Sequence, residues 1–244
     1  MRKDSFEEIF KDINKVLVVI AHPDDCEVIC GGTIARLIDS GKEVRLVTTT
    51  NGEKGMQDKR DIDKTDFVNS RIKEQTLGAV ELGIKESESF NLNIADGELE
   101  ASVENIGKIV FHIRQFKPDL VITHNPNDAV IKFGGSKWVN HRDHRNTGWI
   151  TFDAIYPYSR DRGFFEEHFT EHGLEGHSVN KILVADTYEY DDVSYFEISD
   201  FIDKKKNAFK KHISAFNPGD EEMFVKENKF GDKYFEPLRL LKVY

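Results

Sequence analysis

The amino-acid sequence predicts a three-layer α/β/α sandwich built on a mostly parallel sheet, and three observations carry that expectation. Residues 15–21 (KVLVVIA) form an uninterrupted apolar run of strand length, the mark of a strand covered on both faces. A helix-spaced segment and a second strand follow within about 35 residues, which makes a βαβ unit. Beyond that unit, strand-like runs keep alternating with helix-spaced segments, the pattern of helices packed on both faces of one sheet.

The first strand stops at His22-Pro23, because proline cannot continue the ladder. Residues 31–40 (GGTIARLIDS) have helical spacing, and Gly41 suits the helix end. Residues 43–50 (EVRLVTTT) read as the second strand, and residues 51–66 (NGEKGMQDKRDIDKTD) as a long charged loop. A helix over 67–82 ends at Gly83, a short strand covers 89–92, and a helix over 103–116 is stopped by Pro118. Residues 119–124 (DLVITH) repeat the character of the first strand. Residues 125–140, rich in Gly, Asn and Pro, read as a second long loop; residues 141–156 read as a helix; residues 157–179 are irregular and rich in aromatics and histidine. Residues 182–188 and 194–198 are expected to be strands that pair and extend the sheet. Asp200 is expected to cap a helix reaching about residue 216, and residues 237–244 (PLRLLKVY) a last strand or docked extension. With no internal repeat and no linker, residues 1–244 are expected to form one domain.

Composition narrows the function classes. The 244 residues are 39% hydrophobic and 32% charged, an ordinary globular mix. The net charge of −10, with no basic cluster beyond Lys204-Lys205-Lys206, argues against nucleic acid or an anionic membrane as partner. That lysine triplet is expected to be a solvated helix face. No apolar run approaches the roughly 20 residues that span a bilayer. The N-terminus (MRKDSFEEIFKDINK) lacks the apolar core of a signal peptide, and only Cys26 and Cys30 are present, so a reduced, cytoplasmic setting is expected.

Ligands of open α/β sheets bind outside the carboxyl ends of the strands. The first strand runs into His22-Pro23-Asp24-Asp25; the strand at 119–124 runs into His124 and then, past a loop, His141-Arg142-Asp143-His144. His22 and Asp25 lie three apart across a tight turn, and His144 would complete a two-histidine, one-carboxylate set. Three protein ligands leave a coordination position for water, as in catalytic zinc sites. Asp24, adjacent to the ligand, would then stand free to take a proton from that water. Alternatively, HPDD is a turn with a helix cap, and HxxH a pair of partly exposed histidines on one helix face. Cys26 and Cys30 read as small buried apolar residues, with soft metal ligands as the alternative.

AHPDDCEVICGGTIARL, a strand, TTTNGEKG, Arg71-x-x-Glu74, Leu82-Gly83, Asp96-Gly97, PDLVITH and HRDHRNTG occur in that order. Together, over roughly residues 15–155, they resemble the PIG-L/LmbE-like zinc-dependent N-deacetylases. The resemblance implies a Rossmann-like sheet and a mononuclear Zn2+ site, with Fe2+ as the other candidate. It implies His22, Asp25 and His144 as metal ligands and Asp24 as general base. His141 would stabilise the oxyanion or protonate the leaving amine, Arg71 would contact the sugar, and Asp143 would orient a histidine. The reaction implied is removal of the N-acetyl group from an N-acetylglucosaminyl-type small molecule, by a homo-oligomer, a trimer or hexamer. Two rivals differ in class: an amidase releasing a larger acyl group from a glucosaminyl conjugate, and a non-catalytic Rossmann-like sugar- or nucleotide-binding protein. Cys26 stands where many relatives have Glu, and Glu27 follows; branches with Cys or an apolar residue there include bacillithiol-pathway and archaeal diacetylchitobiose deacetylases. The 125–140 loop exceeds the family's short His-Pro-Asp-His form, and with Trp138, Gly134 and Gly135 it is expected to be a lid or a subunit contact.

Overall fold

A computed structural model describes residues 2–56, 62–133, 136–185 and 190–243. In chain order its elements are α1 (Phe6–Phe10), β1 (Lys15–Ile20), α2 (Asp25–Asp39), β2 (Glu43–Thr50), α3 (Lys64–Leu82), β3 (Ser89–Ile94), α4 (Val103–Phe116) and β4 (Leu120–Thr123). There follow β5 (Val130–Phe133), β6 (Ser136–Val139), α5 (Arg142–Asp153), α6 (Glu167–Thr170), β7 (Lys181–Val184), β8 (Val193–Glu197), α7 (Ile202–Phe209), α8 (Asp220–Lys226), β9 (Lys229–Phe230) and β10 (Lys233–Lys242).

The main sheet runs β3-β2-β1-β4-β7-β10-β8. β3, β2, β1, β4 and β7 are parallel, and β10 is antiparallel to both its neighbours. The apolar run of β1 is covered on both faces, as its composition requires. Val16, Val18 and Ile20 join one core, shared with α1, α2 and α7; Leu17 and Val19 join the other, shared with α4 and α5. This is the three-layer α/β/α sandwich, and strand order reverses beside β1. A crevice therefore opens at the carboxyl ends of β1 and β4, the place where such folds bind ligands.

Several expectations are corrected. α2 starts at Asp25, six residues before the expected Gly31, where the Val28 amide already donates to the Asp24 carbonyl, and bends at Cys30 (φ −143°, ψ 18°), just before the expected start. The expected 125–140 loop contains the antiparallel pair β5–β6; Gly134 and Gly135 of that expectation lie outside the described residues. Val130 and Ile131 on one arm, and Trp138 and Val139 on the other, favour strand, and the Gly-, Asn- and Pro-rich composition of the whole segment hid them. The strands expected at 182–188 and 194–198 do not pair with each other, because β10 lies between them; residues 186–188 are outside the described part, as are 57–61 of the first loop and Tyr244. The helix expected from Asp200 to about residue 216 runs only from Ile202 to Phe209, with Asp200 in a 3-10 turn before it and no side-chain cap, and is followed by the unanticipated α8. Lys205 is no solvated residue: it is 1% exposed and pairs with Glu236 at 2.7 Å. Only one lysine of three consecutive positions can face inward on a helix, and here it does. Among the described residues no helix is long and apolar enough to cross a membrane.

One buried group should contribute to the loss of stability in acid. His112 on α4 is 7% exposed and packs against the Phe90 ring at 4.8 Å. Burial, reinforced by the Arg45 charge, pushes its pKa from 6.5 down to about 4. The unfolded chain therefore binds the proton more readily, and stability is lost as pH falls from about 6.5 towards 4. His112→Phe is expected to flatten that part of the stability–pH curve, by at most about 3 kcal/mol; urea titrations at pH 7 and pH 4.5 check it, an unchanged slope being the contrary result.

Candidate active site

The turn after β1 places the first group of side chains. The His22 amide donates to Asp25 Oδ2 at 2.8 Å, closing a short loop around Pro23. Asp24 within it holds φ +119°, a conformation non-glycine residues rarely adopt. Strain of this kind persists where surrounding structure enforces it. β2 supplies the support: the Thr50 amide and hydroxyl both donate to the Ala21 carbonyl, at 2.9 and 2.8 Å.

From the other strand end, His124 is fully buried, its Nε2 accepts from the Ala21 amide at 3.1 Å, and its ring stacks on His144 at 4.1 Å. His144 sits in the first turn of α5, with Nε2 3.3 Å from Asp25 Oδ1; His22 Nδ1 lies 3.3 Å from Asp25 Oδ2. The structure thus brings His22, Asp25 and His144 together, with one ligand atom of each within 4.8 Å of the others. Burial works against the charge of Asp25, but the imidazoles of His144, His124 and His22 outweigh it and hold this carboxyl well below the usual range.

The far side of the His22 ring faces two more carboxylates: Nε2 is 3.3 Å from Asp96 Oδ1 and 3.4 Å from Asp143 Oδ2. Asp143 is fully buried and receives the Gly97 amide at 2.6 Å; Asp96 receives the Lys54 amide at 3.1 Å. Burial lowers the basicity of His22, yet bonds to Asp143, Asp25 and Asp96 raise its pKa well above 6.5. A site with this many carboxylates around one imidazole favours positive charge. Two histidines and a carboxylate also match the donor preference of a divalent transition metal, and leave coordination positions open. The residues therefore fit such an ion. Asp96 had no role of its own in the sequence reading, only a place in the Asp96-Gly97 motif of the family resemblance; its carboxylate meets His22 in the fold. The buried Cys26 and Cys30 belong neither to the His22–Asp25–His144 group nor to the second group found among the described residues, His22–Asp96–His141.

His141 caps α5, its Nδ1 accepting from the Asp143 amide at 3.2 Å, and its exposed ring stands edge-on to His22 at 4.7 Å. Burial, then the neighbouring His22 and His144, lower its pKa. Arg71 on α3 is 3% exposed and donates through Nη2 to Asp24 Oδ2 at 2.6 Å and to the Pro23 carbonyl. It stands against the Asp24 carboxylate. Burial raises the Asp24 pKa more than the Arg71 charge lowers it.

The chain matches the family model "PIG-L: GlcNAc-PI de-N-acetylase" over residues 17–155. It is 31% identical over 210 residues to the diacetylchitobiose deacetylase of Thermococcus kodakarensis, covering 86% of this chain and 73% of that protein. The solved structure of N,N'-diacetylchitobiose deacetylase from Pyrococcus horikoshii, bound to its inhibitor MPG, superposes with a TM-score of 0.83 at 28% identity, over 97% of this chain and 86% of that one. GalB, the 4-carboxy-2-hydroxymuconate hydratase of Pseudomonas putida, shares the fold alone, at 17% identity and a TM-score of 0.72. Since one fold can host unrelated reactions, the family match over residues 17–155 and the Thermococcus relative at 31% identity decide the matter: the chain belongs to the PIG-L family of de-N-acetylases.

Proposed function

We propose that this protein is a zinc-dependent N-deacetylase that hydrolyses the acetamide of an N-acetylglucosaminyl-type sugar, releasing acetate and the free amine. The observation that carries the reading is the convergence of His22, Asp25 and His144 with an acidic neighbour, Asp24, that is not in the ligand group. His22, Asp25 and His144 would hold the ion, Zn2+ by the donor set, with Fe2+ as the alternative. When bound, the ion supplies a Lewis acid for the acyl oxygen and a water of near-neutral pKa.

The chain's own residues supply the rest. Asp24 takes the proton from the attacking water; its raised pKa brings it closer to the range in which a carboxylate both accepts and returns a proton. His141, at the mouth of the site, donates from Nε2–H to the oxygen on which negative charge develops, and Asp24 returns the proton it took from water to the departing amine nitrogen. Asp96 and Asp143 fix the tautomer and orientation of His22 by accepting from Nε2–H. The similarity to diacetylchitobiose deacetylases supports a glucosamine-derived substrate of oligosaccharide type. Incubating metal-loaded protein with N-acetylglucosamine, N,N'-diacetylchitobiose, glucosaminyl-inositol acetamides and longer N-acyl analogues, with detection of free amine, tests the reading. No amine from any of them rejects it.

Arg71 acts on Asp24 in this reading, not on the sugar. Arg71→Ala is expected to lower kcat by roughly 10–100-fold, the scale of a small misplacement of a reacting group. The loss should be alike for the sugar substrate and a minimal acetamide, with metal content unchanged. A loss confined to the sugar substrate would restore the sugar contact that the family resemblance implies.

A further inference from the structure

The first turn of α2 carries Asp25 and follows directly on Asp24, yet it is not continuous with the rest of the helix. At Cys30 the backbone leaves helical geometry. In a regular helix the Gly32 amide would donate to the Val28 carbonyl. Here both groups have side-chain partners instead. Glu236 Oε1 accepts from the Gly32 amide at 2.9 Å and Oε2 from the Thr33 amide at 2.7 Å. Lys205 Nζ donates to the Val28 carbonyl at 2.9 Å and to Glu236 Oε1 at 2.7 Å. The ion pair is buried, its side chains 2% and 0% exposed. It splices the break: the carboxylate caps the second half of α2, and the ammonium closes the first half.

Packing holds the splice in one place. A Cβ on Gly32 would lie 2.7 Å from Ile198, so only glycine lets the helix approach so closely. A Cβ on Gly31 would meet Lys205 Cγ at 3.5 Å, ordinary contact distance. A continuous helix with an apolar partner would satisfy the same backbone groups without burying two charges, and buried ion pairs are weak sources of stability. What the pair adds is a defined break between the turn that bears the site and the body of the helix.

We propose that Lys205 and Glu236 are positioning residues for the catalytic turn: together they set the angle at which Asp24 and Asp25 meet His22 and His144. The inference rests on the proposed function for its kinetic readout, and on geometry for the others. Three quantities test it in Glu236→Gln and Lys205→Met: kcat and KM, affinity for Zn2+ alone, and hydrogen exchange of the amides over residues 22–33. The expected result is faster exchange there, weaker Zn2+ binding, and kcat lower by roughly 10–100-fold with KM nearly unchanged.

Ile109→Ala, in the core on the opposite face of the sheet, is the matched control; it should lower Tm while kcat and exchange over 22–33 stay at wild-type values. The double variant Lys205→Met/Glu236→Gln, which removes both charges, should regain Tm without regaining kcat. Wild-type kcat, Zn2+ affinity and exchange in the single variants, with only Tm reduced, would overturn the proposal. So would recovery of kcat in the double variant. If Glu236→Gln does not fold, Glu236→Asp keeps the charge, shortens the reach and is read the same way. A wild-type protein without deacetylase activity rejects the proposed reaction, while Zn2+ affinity and exchange still decide the positioning role.

Discussion

Asp24→Asn should leave a folded, metal-loaded protein whose kcat has dropped by roughly 10²–10⁴-fold, the usual cost of removing a general base. The substitution is close to isosteric, and asparagine tolerates positive φ better than most residues, so the strained backbone at φ +119° is not further disturbed. Its amide oxygen can still accept from Arg71 Nη2. What is lost is the ability to take a proton from water. Since Asp24 is outside the ligand group, metal content should match the wild type, and KM should move little because no ground-state contact to the sugar is removed. Steady-state kinetics with parallel elemental analysis checks both halves. Near-normal turnover would show that another group carries the proton.

His144→Ala should act in the opposite order, on metal first and on rate in consequence. Removing a ligand leaves His22 and Asp25, and affinity should fall by more than the roughly 10–100-fold that loss of an outer-shell partner costs. It also removes the imidazole nearest Asp25 Oδ1 and unstacks His124, so this buried carboxylate loses one of the charges that stabilise it. Elemental analysis after dialysis should find the variant depleted. His141→Ala, one turn earlier on the same helix, is the natural comparison: it should keep the metal and lose rate. Full metal in His144→Ala would reject the ligand assignment.

The parts of this fold that were legible in the sequence are those with local punctuation. β2 at residues 43–50 and α4 at residues 103–116 have the bounds that their patterns gave. For α4 the reasons are visible: Ser102 caps its start and Pro118 lies just past its end. The candidate site was legible because strand ends in an open sheet converge, so HPDD and HRDH could be placed on one edge from topology alone. What was hidden depends on residues far away in the chain. The Gly31-Gly32 pair after Cys30 marks a weak point for a helix but not a break inside one, because the group that stabilises the break is Glu236, 204 residues from Gly32. Lys205 looked solvated because a lysine triplet has no periodicity to show which member turns inward. Arg71 gave no sign that it would be spent on Asp24, since contact between α3 and the turn after β1 is a fact of packing. β10 was half seen: its apolar tail was recognised, but its place between β7 and β8 reverses the order that sequence adjacency suggests.

That placement bears on how the chain is made. β10 follows every other strand of the sheet; among the described residues β8 pairs with no other strand, apart from a single bridge to Asp4, and β7 keeps a bare edge until β10 arrives. During synthesis the ribosome releases His22, Asp25 and His144 long before Glu236. An emerging chain can therefore gather its candidate ligands early while the helix turn that carries Asp25 is still unspliced. It must meanwhile protect an unpaired β7 edge, the kind of exposed template that invites aggregation. The candidate centre is fully translated about a hundred residues before the chain ends and, on this geometry, is among the last parts to be finished.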